Sequence, residues 1–388
     1  MRFKQLQQDF KVEEIPSIST NADKRTHSVY LMEKNGLGTF EAIRLISDKL
    51  KIPFNEIGYA GLKDKQAITK QYISIPTNYT IKIQNSDNLK LFFVGYQNKK
   101  IKIGDLEGNK FSIIIRDIKE EELKEIHQRT KLISQYGFPN YFDSQRFVSV
   151  IGNEFIAKYI VEKKYELAVK LYLTKFREFE AKMIKSEKEK ILKNWRNLDK
   201  ITVKNRDLRN VVNEFLKTKN WLSAYKKIQP NLKEMFINAY QSYIWNECLN
   251  EILKLYVDPN NLYPIKYNLG YFIFYTKLSE DEIKNIPPKL KTIMSDKNYS
   301  DTEKQIFQKI LSKQGLKLSD FDIEAQTGNF FKVINRQTIV KPIDFNISRP
   351  MIDDINNNTK NLKYAIEVSY SLPKGCYASI LIKKVFNI

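Results

Sequence analysis

The chain has 388 residues, 42% of them hydrophobic, which suits two domains with sizeable cores and excludes a disordered polypeptide. Its 65 Lys+Arg against 45 Asp+Glu leave a formal net charge of +20, a field that favours a polyanionic partner and makes binding weaken steeply with salt. A lysine-rich proteome would produce the same excess with no partner behind it. Two cysteines (Cys248, Cys376) and two histidines (His27, His127) give neither a zinc set of familiar spacing nor a disulfide framework. Each cysteine has apolar or aromatic neighbours and is expected as a buried thiol. The segment Met1–Asp9 lacks a signal-peptide core and no run is apolar enough to span a bilayer, so a soluble, cytoplasmic protein is expected.

In chain order, Ser28–Glu33 reads as a strand, and a helical period follows through Ala42, Ile43, Leu45, Ile46 and Leu50 with Thr39 as its N-cap. Gln71–Ile75, Leu89–Tyr96 and Phe111–Ile115 read as further strands, and Glu120–Gln135 as a charged amphipathic helix. From about residue 151 the texture turns helical, with stretches predicted at Glu154–Thr174, Phe176–Trp195 and Leu232–Leu255. Lys182, Lys185, Lys188, Lys190 and Lys193 crowd the second of these, as a solvated face or a phosphate-contacting ridge. Pro259–Arg336 mixes short strands, turns and a charged helix. Tyr364–Ser371 is a strand, Leu372–Gly375 a turn and Tyr377–Phe386 a helix. Mixed ends around a helical middle suggest one domain interrupted by another.

Four separated segments carry chemistry. Gly58–Gln71 presents Asp64 between Lys63 and Lys65; nearby ammonium groups favour the ionised carboxylate, which can act as nucleophile or base. An exposed Lys-Asp-Lys turn is the bland alternative. Gly137–Phe147 puts four aromatics beside Asn140, Ser144, Gln145 and Arg146. Aromatics can stack on an unstacked base, amides can read its edge, and an arginine can hold an anion bidentately; a packed core turn would use the same aromatics. Asn238–Asn246 has helical spacing and reads mostly as a packing face. Leu372–Ser379 is a Pro-Lys-Gly turn feeding a helix N-terminus, where amides can meet an anion. No P-loop or dinucleotide fingerprint is present, and neither histidine has the partners of a hydrolase triad.

Together these segments resemble the TruD family of tRNA pseudouridine synthases. Ala60–Gln71 is similar to the family's central motif, and Pro139–Phe142 with Gln145–Phe147 to its second. Asp9–Pro16, preceded by Lys4, resembles the N-terminal signature; Tyr240–Ser242, Arg336 and Leu372–Ser379 match later segments in order. Asp143 and Val148 stand where glycines are usual, so any left-handed backbone there would be strained.

The resemblance implies an α/β (α+β) protein: a pseudouridine-synthase catalytic domain with a mixed, mostly antiparallel sheet, built from residues 1–150 and 337–388, and an inserted α/β TRUD domain at 151–336. It implies conversion of uridine to pseudouridine in tRNA, typically at uridine 13 of the D arm, with no cofactor and no metal. Asp64 would be the essential carboxylate, Phe142 would stack on uracil, and Phe10, Asn140 and Tyr377 would lie against substrate. Lys4, Lys63, Glu14 and Arg146 would contact phosphate or order the site. No protein partner is evident, and a monomer is expected. An RNA-binding or chaperone protein on the same scaffold, without the reaction, is the alternative; an enzyme for a small anionic metabolite would need a phosphate loop that is not evident.

Overall fold

The structure, a computed structural model, describes residues 1–79, 81, 85–176, 180–295, 298–357 and 361–388. The chain divides into two compact units, Met1–Phe138 with Val340–Ile388, and Pro139–Ile339.

Among the described residues, the first unit is built on a 10-stranded sheet. Its N-terminal part supplies β1 (Arg2–Phe3), β2 (Phe10–Pro16), β3 (His27–Asn35), β4 (Gly58–Tyr59), β5 (Ile68–Pro76), β6 (Leu89–Gln97) and β7 (Leu106–Ile118). The main path runs Ile343–Ile347, Tyr364–Pro373, β7, β2, β5, β3, β6, so strands from both ends of the chain share one sheet. β2 and β5 pair in parallel, with Lys11 opposite Ile68, while the other pairs are antiparallel. A parallel pair needs a long crossover; here that crossover contains β3, helix α1 (Thr39–Leu50) and β4. Ala42, Ile43 and Ile46 form the inward stripe of α1 and pack with Met32 of β3 and with Ile73 and Ile75 of β5 in one core. Helix α2 (Glu120–Tyr136) packs against the C-terminal helix Ala378–Phe386.

Thr39 is not the N-cap of α1. Gly38 holds that place, and Thr39 is the first helical residue, its hydroxyl engaged elsewhere. Cys248 is buried as expected, whereas Cys376 is partly exposed in the turn before the C-terminal helix.

The second unit is wrapped around the helix Pro230–Tyr256, whose buried residues occupy nearly all its faces because neighbours surround it. Asp301–Ser312 and Ile156–Val161 pack on it, as does the Gly270–Tyr275 strand of a hairpin whose other strand is Leu262–Tyr267. The single helix expected at Glu154–Thr174 is two, Ile156–Val161 and Tyr165–Thr174. The break falls at Lys163, whose φ of 57° is left-handed and cannot continue a right-handed helix. The expected Phe176–Trp195 helix is observed as Lys182–Lys193, and residues 177–179 of that expectation lie outside the described residues. Lys188 of this helix is buried and bonds the Lys175 carbonyl at 2.9 Å and Glu180 at 3.0 Å, while Lys182, Lys190 and Lys193 face solvent. An additional helix, Arg206–Thr218, is capped by Asn205, whose side chain accepts from the amides of Asp207 and Leu208. Among the described residues no helix is long and apolar enough to cross a membrane.

Candidate active site around Asp64

Asp64 lies in the loop between β4 and β5, its side chain 22% exposed. The spacing of the Ala60–Gln71 stretch has a structural reason. Gln71, already on β5, reaches back and donates to the Gly61 carbonyl at 3.1 Å. The Thr39 hydroxyl donates to Gln71 Oε1 at 3.0 Å and accepts from the Lys63 amide at 2.9 Å. This relay fastens the loop to α1 and to β5 on either side of Asp64.

The cations that meet Asp64 are not only its sequence neighbours. Lys65 pairs with Glu41 at the surface, and Lys63 pairs with the buried Glu14 at 2.5 Å. Glu14 also accepts from the Tyr72 amide at 3.2 Å, so it orders the site from β2. Lys4 reaches the Asp64 carboxylate from sixty residues earlier in the chain and donates to Oδ2. It does so from a left-handed backbone, φ 56°, a conformation that costs an L-residue about 1 kcal/mol or more. The segment before β2 is fastened by Asp9, which takes the buried Arg116 guanidinium bidentately; Arg116 also bonds Asp353 and Asp354. The Gln66 amide donates to Asp64 Oδ1 at 3.1 Å.

Burial acts to raise the Asp64 pKa. The hydrogen bond and charge of Lys4, the Gln66 amide and the charge of Lys34 outweigh it and hold the carboxyl below its ordinary range. The carboxylate is therefore ionised at neutral pH, and it is clasped rather than bare.

Lys34 was not among the residues the sequence pointed to. It is fully buried on β3, on the same inward face as Met32, and donates to the carbonyls of Leu37 (2.6 Å), Asp64 (2.8 Å) and Lys63 (3.5 Å). Burial pushes its pKa down to about 8 against the upward pull of Asp64. A lysine on the inward parity of a strand was the signal that could have found it.

Phe10 is buried beneath Lys4, whose ammonium lies 4.1 Å from the ring centre. Phe10 belongs to a row of rings, Phe3–Phe10–Phe111–Tyr370, with centroid spacings of 5.6, 6.3 and 5.4 Å. The Tyr370 hydroxyl donates to the Ala378 carbonyl and so fixes the start of the C-terminal helix, where Tyr377 is the half-buried N-cap residue after Gly375 (φ 85°). Lys4, Phe10, Glu14, Lys63 and Asp64 are thus joined by direct contacts or shared partners within the first unit.

Asn140, Phe142 and Arg146 belong to the second unit. Asn140 is 2% exposed and Phe142 6%. Arg336 donates to the Asn140 carbonyl from Nε and Nη2, to Asn140 Oδ1 at 2.7 Å and to the Tyr141 carbonyl at 3.2 Å. Its guanidinium also lies 4.1 Å from the Phe142 ring centre, and Trp245 meets that ring edge-on at 5.5 Å. Asn246 closes both main-chain groups of Phe142, and Arg146 donates to Ser242 at 2.9 Å. Asp143 (φ −104°) and Val148 (φ −60°) are outside the left-handed region, so the missing glycines bring no strain there. Tyr240–Ser242 is buried, as a packing face should be. Among the described residues no group of three or more His, Cys, Asp or Glu could hold a metal ion.

Compared with known proteins, residues 1–265 and 281–385 match the family model described as tRNA pseudouridine synthase D (TruD). The chain is 40% identical to "Probable tRNA pseudouridine synthase D 1" of Methanococcus maripaludis, over all of both chains. It is 39% identical to "Probable tRNA pseudouridine synthase D 2" of Methanocaldococcus jannaschii, over 100% of this chain and 92% of that one. A crystal structure of a TruD-named protein from Methanosarcina mazei has the same fold, with TM-score 0.72 at 22% identity, covering 100% of this chain and 93% of the other.

Proposed function

The chain belongs to the tRNA pseudouridine synthase D family, a family of isomerases, and we propose on that footing that it converts uridine to pseudouridine in tRNA, at uridine 13 of the D arm, with Asp64 as the essential carboxylate. The observation that carries this reading is the state of Asp64: ionised by its surroundings, held by the Gln66 amide and Lys4, and still partly open to solvent. The first unit is the catalytic domain on this reading, and the second the inserted TRUD domain.

The reaction breaks the N1–C1′ bond of uridine, turns the uracil and joins C1′ to C5; the C5 proton is lost as N1 gains one, so no atoms are added or removed. Asp64 either adds to C1′ or removes the C2′ proton to give a glycal. Both routes need the ionised form that Lys4 and Lys34 favour. Both also need the target nucleotide out of its stack, at a cost of about a few kcal/mol, which aromatic stacking of about 1–3 kcal/mol per base offsets. We assign Phe142 to that stacking, Asn140 to the base edge, and Phe10 and Tyr377 to substrate contact. Glu14 and Lys63 order the Asp64 loop, and Lys4 and Arg146 meet the RNA backbone or order the site. The enzyme works in the cytoplasm on this reading, where the net charge of +20 suits a polyanionic substrate.

The test compares wild type with Asp64→Asn on a uridine-containing tRNA transcript, pseudouridine being mapped by its carbodiimide adduct. Conversion is expected to vanish in the variant while tRNA binding persists. Undiminished conversion refutes the assignment of Asp64, and wild-type binding without conversion on any tRNA points to the RNA-binding alternative.

A further inference from the structure

The Lys34 ammonium is sealed inside the first unit, and its bonded acceptors are three main-chain carbonyls. Carbonyls solvate such a charge without neutralising it, so burying it costs stability. A methionine would fill much the same volume with no charge to bury. Packing therefore does not account for a lysine at this position. Its three acceptors do. Leu37 lies in the turn that opens α1, and Lys63 and Asp64 lie in the loop that opens onto β5, so one side chain locks two separate turns against each other.

We propose that Lys34 is a positioning residue for the reaction: by joining the carbonyls of Leu37, Lys63 and Asp64 it fixes where the Asp64 carboxylate stands. The inference rests on the reading of Asp64 as the essential carboxylate. The charged groups around Lys34 are Asp64 and Lys63 from the loop and Glu41 from α1, with Lys4 acting through Asp64. Lys34 in turn helps hold Asp64 ionised, so its loss shifts the pH response as well as the geometry.

The experiment is single-turnover conversion of a tRNA transcript by wild type and Lys34→Met across pH, with tRNA affinity measured alongside. A displacement of the carboxylate by about 1 Å is worth up to about a hundredfold in rate, so conversion is expected to slow by about ten- to a hundredfold at neutral pH with affinity nearly unchanged. The acid limb moves to higher pH, because Asp64 loses a neighbouring positive charge. Wild-type rate and limbs in Lys34→Met overturn the proposal, as does a slower rate with both limbs unmoved, which marks a purely structural lysine. If Lys34→Met does not fold, Lys34→Gln, shorter and uncharged, is read the same way: a slower rate with the acid limb moved to higher pH supports the proposal, and a wild-type rate with unmoved limbs overturns it. Failure here is separable from failure of the functional reading. An inactive Asp64→Asn beside an unaffected Lys34→Met removes only the role of Lys34, whereas an active Asp64→Asn removes the reading beneath it.

Discussion

Asp64 keeps 22% of its side chain open and is met by the ammonium of Lys4, whereas Asn140 and Phe142 are 2% and 6% exposed and are held by Arg336, Trp245 and Asn246 of their own unit. Both stretches have the polar and aromatic composition of a site. The Asp64 loop spends its hydrogen bonds on main chain, through Thr39, Gln71 and Lys34, and leaves the carboxylate itself on the Gln66 amide and a part-exposed lysine. In the Pro139–Phe147 stretch, Asn140, Phe142 and Arg146 each meet a side chain of their own unit. A reactive group must be ordered but reachable; a group that shapes a surface can be almost fully committed to packing.

That contrast can be broken from either side. After the complete loss expected for Asp64→Asn, the largest effect is expected on stability in the second unit. Arg336→Met leaves the carbonyls of Asn140 and Tyr141 without their arginine donors and should cost about 3 kcal/mol, each orphaned buried acceptor being worth about 1–3 kcal/mol. Urea unfolding measures it, and a loss under about 1 kcal/mol would show that this stretch is less committed than its contacts indicate.

Next is the anchor of the N-terminal segment. The amides of Asp117, Ile355 and Asn356, together with the Asn356 side chain, push the Asp353 carboxyl down to about 2 despite burial. A carboxylate with a depressed folded pKa contributes stability that is present above its unfolded value, near 3.8, and is lost as pH falls through the folded one. Asp353→Asn should therefore cost about 2 kcal/mol at neutral pH, since each tenfold strengthening of the acid on folding is worth about 1.4 kcal/mol. The gap to wild type should close between about pH 4 and pH 2, read from denaturation midpoints. A gap independent of pH would show that charge is not what stabilises the anchor.

The smallest effect belongs to Lys4. Lys4→Met removes the nearest cation from Asp64 and raises its pKa, so the acid limb of the rate profile should move to higher pH, while turnover at pH 7, which lies above that limb, should change little. An unmoved acid limb would mean that the loop amides and Lys34 alone keep the carboxylate ionised. For Phe142→Ala, conversion should slow more than tRNA binding weakens; a loss confined to binding would contradict its assignment to stacking.

Periodicity and turn chemistry are local properties, and they were enough to place β3, α1, β5, β6, α2 and the C-terminal strand and helix within a few residues. Local order also marked Asp64, because a carboxylate between lysines in a glycine-led loop is conspicuous in one dimension. The partners of Asp64 were another matter. Lys63 and Lys65 are its neighbours in the chain, yet their ammonium groups bind Glu14 and Glu41, while Lys4 and Lys34 arrive from sixty and thirty residues away. Likewise the hydroxyl of Thr39 looked like a helix cap and is instead the link between Lys63 and Gln71. Which side chain meets which carboxylate depends on strand order and on the path of the loops. Those follow from burying the whole sheet and its helices at once, a global condition that no window of sequence contains.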